Sequence, residues 1–342
     1  MKTNPGRFFE DYHPGDVLTH AVPRTVSGGE RALYHALYPA RHALTSSDAF
    51  ARACGLPAAP LDELAAFHLV FGKSVPDISL NAIANLGYAE LRWLQPVWPG
   101  DTLSASSVVL GVKENSNGTS GVVWVRTTGR NQHGAAVLEF VRWVMVKKRG
   151  SGPAPVASVP ALAPAVAPEQ LVIPQGLDFT RYDFAQAGEP HRWADYEIGE
   201  QIDHVDGVTI EEAEHMLATR LWQNTARVHF DATSRLDGRR LIYGGHVISL
   251  ARALSFNGLA NAQLLVAINA GSHANPCFAG DTVRAWSQVL DKAPTAAPGV
   301  GAIRLRLVAV KSGAPAFSYR DSAGKYEAEV LLDLDYWALM PL

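Results

Sequence analysis

Hydrophobic positions in this chain gather in two long apolar blocks, each followed by runs in which apolar and polar residues roughly alternate. The blocks, Leu61 to Gly72 and His246 to Phe256, are apolar almost all round, the pattern of a helix buried on most sides. The runs behind them read as strands: Leu103 to Val112, Gly121 to Thr128 and Ala136 to Val146, then Val283 to Leu290, Ile303 to Val310 and Glu329 to Leu339. Short polar turns such as Glu114 to Ser120 join consecutive runs, which predicts an antiparallel meander. A shorter helical stretch precedes each block, Glu30 to Leu37 and Glu211 to Leu221, with acidic residues in its first turn, where the helix dipole favours them.

The succession of elements is therefore written twice, and spelled motifs repeat with it. Asp11-Tyr12-x-x-Gly15-x-x-x-x-His20-x-x-x-x-Thr25 recurs as Asp195-Tyr196-x-x-Gly199-x-x-x-x-His204-x-x-x-x-Thr209, offset by 184 positions. Pro96-x-x-x-Gly100-Asp101-Thr102 recurs as Pro276-x-x-x-Gly280-Asp281-Thr282, offset by 180. So long a period predicts a duplicated domain rather than a solenoid. The α+β architecture expected is an antiparallel sheet curled around one long helix, present twice: residues 1–150, a linker over 151–190, and residues 191–342. The linker's first part, residues 151–168, is almost entirely Pro, Ala, Ser and Val, and predicts an extended, semi-rigid connector. The repeat also sets Asn224 and His229 opposite Ala40 and Thr45, so titratable chemistry belongs to the second copy alone.

Composition narrows the function. A chain of 342 residues, 47% hydrophobic and 18% charged, can bury two ordinary cores. Its net charge of −3 offers no basic field for nucleic acid. No run is long enough to span a membrane, and the amino terminus lacks a leader's apolar stretch, which predicts a cytoplasmic protein. Cys54 and Cys277, one in each half, lack metal-ligand spacing and read as reduced structural thiols.

A duplicated helix-wrapped sheet with Gly-Asp-Thr after a proline resembles a double hotdog of the MaoC-like hydratase family. Residues carrying the resemblance more closely are Phe67-His68-Leu69-Val70-Phe71-Gly72-Lys73-Ser74-Val75-Pro76-Asp77-Ile78-Ser79-Leu80-Asn81, Gln223-Asn224-Thr225-Ala226-Arg227-Val228-His229-Phe230 and Tyr243-Gly244-Gly245-His246. The match extends through both halves and breaks down mainly in the linker. It implies reversible syn addition of water to an α,β-unsaturated acyl-CoA thioester, mesaconyl-CoA giving β-methylmalyl-CoA, without metal or redox cofactor. Itaconyl-CoA or another enoyl-CoA is the nearest alternative substrate. A hotdog thioesterase, releasing free CoA, and a non-catalytic acyl-CoA binder are the alternative functions. A homo-oligomer is a further expectation.

Hydration needs a base for the water and a fixed positive environment for the enolate-like thioester oxygen. The resembled family pairs an aspartate with a histidine five positions on; here those positions are Asn224 and His229. His229 is the candidate base. Asn224 can orient water but cannot accept its proton as a carboxylate does. An aspartate there would repel the substrate's free carboxylate, so Asn224→Asp is expected to lower turnover of mesaconyl-CoA. Tyr243, Gly244 and Gly245, opening the helix at His246, are the candidate oxyanion site: glycines admit close approach, and free amides at a helix start face an anion. Arg227 is a candidate partner for the carboxylate, and equally an exposed arginine paired with Asp231 or solvent. His20 and His204, matched in both halves, read as parts of the shared fold, and Gly-Asp-Thr as a turn. His68, His246 and His273 remain ambiguous. Residues 57–81 of the first half would line or support an acyl-CoA tunnel, or form plain core.

Overall fold

The structure is a computed structural model and describes residues 2–150, 152–311 and 317–342. The first half supplies strands β1 (Val17–Thr25), β2 (Ala82–Trp93), β3 (Thr102–Glu114), β4 (Ser120–Arg130) and β5 (Ala136–Lys147). The second supplies β6 (Gln201–Thr209), β7 (Leu264–His273), β8 (Thr282–Pro294), β9 (Val300–Lys311) and β10 (Val330–Pro341). Every pairing is antiparallel, in the order β1-β3-β4-β5-β2-β7-β10-β9-β8-β6. Two expected sheets are thus one 10-stranded sheet, joined where β2 meets β7 with Tyr88 opposite Gly271 and Arg92 opposite Ala267. The four short-patterned strands β1, β2, β6 and β7 complete the six expected from alternation.

One buried helix lies against each half. Glu63–Ile78 begins at Asp62, whose side chain accepts the Leu64 N–H at 2.9 Å, and is buried over most of its surface. Gly244–Leu254 begins at Tyr243 and is buried from Gly245 to its end. The first helix runs past Gly72, the last residue of its apolar block, to Ile78. Gly72 is not a terminator: a Cβ there would collide with the Trp222 carbonyl of the other half. Its lack of a side chain lets the two halves touch, and a single core holds residues from both helices.

Residues matched across the repeat do the same structural work. His20 Nε2 meets Ser107 Oγ at 2.7 Å, and His204 Nε2 meets Ser287 Oγ at 2.8 Å. Gly100 and Gly280 both adopt positive φ in their turns, and Asp101 and Asp281 each accept a backbone N–H three residues back. The linker differs from a free spacer. Ser158 pairs with Val112, Val166 N–H donates to Asn269 Oδ1 at 2.8 Å, and Leu177, Phe179 and Tyr182 are buried. It is extended, as its prolines dictate, but packed onto the sheet.

Candidate active site

A cavity of about 350 Å³ opens where Tyr243 and Gly244 start the second central helix. Its walls come from both halves: Phe71, Val75 and Ser79 from the first helix and its end, Ala82 to Leu86 and Tyr88 from β2, and Asn224, His229 and His273 from the second half. Among the described residues the wall contains no aspartate or glutamate.

His229 sits on a single helical turn, Arg227–Phe230. Its Nδ1–H donates to the Leu241 carbonyl at 2.7 Å, which fixes the tautomer and leaves Nε2 with its lone pair. The residue keeps some exposed surface on the cavity wall, yet protein surrounds the ring, and that desolvation lowers its pKa to about 4. At neutral pH the ring is therefore uncharged and able to take a proton.

Asn224 is buried just ahead of it, after Gln223, whose φ of 56° bends the chain into the left-handed region. Asn224 Oδ1 accepts the Ala226 N–H at 3.3 Å, so the amide N–H₂ is the end free to meet a water. Gly244 and Gly245 are the first two residues of an 11-residue helix, where backbone N–H groups have no partner within the helix. Tyr243 makes no side-chain cap to satisfy them, and Gly244 lines the cavity. Packing demands glycine here as well. A Cβ on Gly244 would enter the His273 ring, and one on Gly245 would meet the Tyr243 ring and, at 2.6 Å, His68 Cε1. Packing thus demands glycine at the two positions whose amides the sequence offered as the oxyanion site.

Tyr243 lines the same cavity, with its ring 5.8 Å from that of His229. Its backbone N–H donates to His215 Nε2 at 2.9 Å, and burial holds His215 at a pKa of about 2, so this acceptor stays neutral. Arg227 stands apart from these residues. It is exposed, reaches Asn81 Oδ1 at 3.5 Å, and is not among the described residues that line the cavity. The turn that aims His229 inward points its neighbour two residues back outward. Asp231 is likewise turned away, accepting from Thr233.

Of the ambiguous histidines, His273 belongs to the cavity: its Nε2 lies 3.1 Å from the Tyr88 hydroxyl, and burial lowers its pKa to about 4. His68 and His246 are core groups, held by Ser249 Oγ at 2.8 Å and the Tyr38 hydroxyl at 2.9 Å. Cavity residues that sequence reasoning passed over are Tyr88, Asn85 and Arg142. A signal for Arg142 existed: Phe140, Arg142 and Val144 share one face of a strand whose two neighbours on that face are core residues.

A neutral histidine with a fixed tautomer and an uncapped helix start line one cavity between two helix-wrapped half-sheets, the arrangement of a double-hotdog hydratase of the MaoC-like class. A family model described as mesaconyl-CoA hydratase matches residues 2–324, and the chain belongs to that family. It is 77% identical to a mesaconyl-CoA hydratase of Cereibacter sphaeroides, with all of each chain covered. It is 56% identical to a beta-methylmalyl-CoA dehydratase of Chloroflexus aurantiacus, covering 99% of this chain and 98% of the relative. A crystal structure of a putative MaoC domain protein dehydratase from Chloroflexus aurantiacus superposes with a TM-score of 0.97 at 55% identity, covering 100% and 99% of the two chains. A Mycobacterium tuberculosis protein with a double hotdog fold gives 0.73 at 25% identity, with 98% of each covered.

Proposed function

We propose that this protein is a hydro-lyase that interconverts mesaconyl-CoA and β-methylmalyl-CoA. The observation that carries the reading is the neutral His229, its Nδ1 pinned to Leu241, on the wall of a cavity that also holds the start of the Gly244 helix. Names of close relatives supply the acyl group.

In the hydration direction a water held by the Asn224 amide loses its proton to His229 Nε2 as its oxygen bonds to the β-carbon. The double-bond electrons move onto the thioester oxygen, where the Gly244 and Gly245 N–H groups and the positive helix end stabilise the charge. The imidazolium then returns the proton to the α-carbon. One group serving both steps keeps them on one face, which gives syn addition. No electrons leave the substrate, so the sequence of steps calls for no redox group, and the amides supply the polarisation a metal would otherwise give.

A thioesterase reading would place an acidic residue against the carbonyl, and the described cavity wall offers none. Buried free Cys54 and Cys277 suit a reducing compartment and support a cytoplasmic location. Among the described residues no helix is long and apolar enough to cross a membrane. Self-association would use the outer strands β1 and β6, and light scattering reads it directly.

The deciding experiment follows enoyl-thioester absorbance together with free thiol on mesaconyl-CoA. Loss of absorbance without thiol, and a product heavier by one water, is the expected result. Thiol release, or binding without any change, would overturn the assignment.

A further inference from the structure

Arg142 is a buried charge that the steps above do not use. It projects from β5, opposite Tyr88 on β2 and Val125 on β4, and its residue surface is wholly covered although it lines the cavity. Its Nη1 donates to Ser79 Oγ at 2.9 Å and its Nη2 to Ser74 Oγ at 2.8 Å, while the guanidinium carbon lies 4.2 Å over the Phe71 ring. All three partners are neutral. Nε has no partner, and among the described residues no carboxylate forms an ion pair with it.

Burial lowers its pKa to about 10, so the charge persists at neutral pH. On the same wall, opposite Val144 two residues along β5, is Asn85, whose side-chain oxygen and nitrogen are both buried and both unpartnered. A buried cation without a counter-ion is strongly unfavourable, and unsatisfied amide atoms add to the cost. A carboxylate entering the cavity would answer the cation and accept from the Asn85 Nδ2–H₂ group. Phe71 links this corner to the chemistry: its ring lies 5.5 Å from Tyr243, whose ring lies 5.8 Å from His229.

We propose that Arg142, assisted by Ser79 and Asn85, is the counter-charge for the free carboxylate of the substrate and thereby selects carboxylated enoyl-CoA thioesters. The inference rests on the hydratase reading above, with a carboxylated substrate. It gives the first half a chemical part, since Arg142, Ser79 and Asn85 all belong to it. Strand β5 of that half brings the cation to the cavity, and the second half brings the base.

The test separates selectivity from turnover by measuring binding of two saturated thioesters calorimetrically: methylsuccinyl-CoA, which keeps the carboxylate, and 2-methylbutyryl-CoA, which has a methyl group there. The unmodified enzyme should prefer the first. Arg142→Met keeps the stem and removes the charge, and should cut that preference by about 10- to 150-fold, the worth of hydrogen bonds to a charged group, with 2-methylbutyryl-CoA binding unchanged. Arg142→Lys should keep part of the preference. Should Arg142→Met fail to fold, Ser79→Ala, which frees Nη1, should give a smaller loss of the same sign. Equal weakening of both ligands, or an unchanged preference in whichever variant folds, overturns the proposal. Turnover of mesaconyl-CoA by the unmodified enzyme is read separately, so a failed hydratase assignment is not confused with a failed subsite.

Discussion

The two central helices start in the same place in their halves and meet opposite fates. Asp62 and Glu63 stand in the first repeat where Tyr243 and Gly244 stand in the second. At the first start the Asp62 carboxylate caps the helix, Glu63 accepts the Leu265 N–H at 3.4 Å, and Trp93 donates to the Glu63 carbonyl at 2.9 Å. Only about 30 Å³ of space remains there. At the second start Tyr243 provides no cap, glycine replaces the glutamate, and the smaller His273 takes the place of Trp93. The result is a cavity of about 350 Å³. One fold position thus becomes a sealed joint or an open cavity, depending on whether its own side chains fill and cap the helix start.

The comparison breaks first at His229, whose counterpart is Thr45. His229→Gln keeps a polar group but removes the proposed base, and kcat for hydration should fall about 10²- to 10⁴-fold with little change in melting temperature. Steady-state kinetics beside a thermal melt check both parts. The pH dependence carries a sign. Because burial holds the His229 pKa at about 4, the basic form is present throughout neutral pH. The acid limb of kcat/KM should therefore lie near pH 4 and not near the ordinary histidine value of about 6.5. A limb at pH 6.5 would mean that His229 is solvated, or that another group is the base.

A smaller loss is expected from Gly244→Ala. The added methyl enters the His273 ring and displaces either that ring or the helix start, which should lower kcat by about 10-fold or more, since losing one oxyanion donor outright costs ~10²- to 10³-fold. The matching change in the first half, Glu63→Gln, should leave hydration within about twofold. Equal effects at the two positions would dissolve the contrast between sealed and open starts.

Much of this asymmetry was legible from residue order. The repeat offsets placed Asn224 and His229 against Ala40 and Thr45, and the paired glycines marked the second helix start. The seam strands were not, because β2 and β7 lie inside a joined sheet and β2 mixes exposed and covered positions without a clean alternation. Arg227 drew attention by nearness in sequence to His229, whereas the buried cation of the cavity is Arg142, far off in sequence and brought in by β5. The apolar block ended at Gly72, but the helix continues to Ile78, and the reason for the glycine, contact with Trp222, lies in the other half. Proximity along the chain served for local turns and failed where two copies share one cavity.

The smallest effect belongs to the sealed start itself. Asp62 is buried beside Glu63, with Arg252 and His35 also acting on it, and burial raises its pKa above the ordinary carboxylate value despite the attraction of Arg252. The folded protein therefore holds that proton more tightly than the unfolded chain. Stability from this group is present below the unfolded pKa of about 3.9 and is lost as pH rises through the raised folded value. Asp62→Asn keeps an oxygen to accept the Leu64 N–H and removes the charge, so the cap, typically worth ~1 kcal/mol, survives. The variant should melt about 2 °C higher than the unmodified protein at pH 7 and equally at pH 3, with hydration unchanged. A lower melting temperature at pH 7 would show that the charge on Asp62 stabilises the joint through Arg252. Lost hydration with an intact fold would show that the first helix start contributes to the chemistry after all.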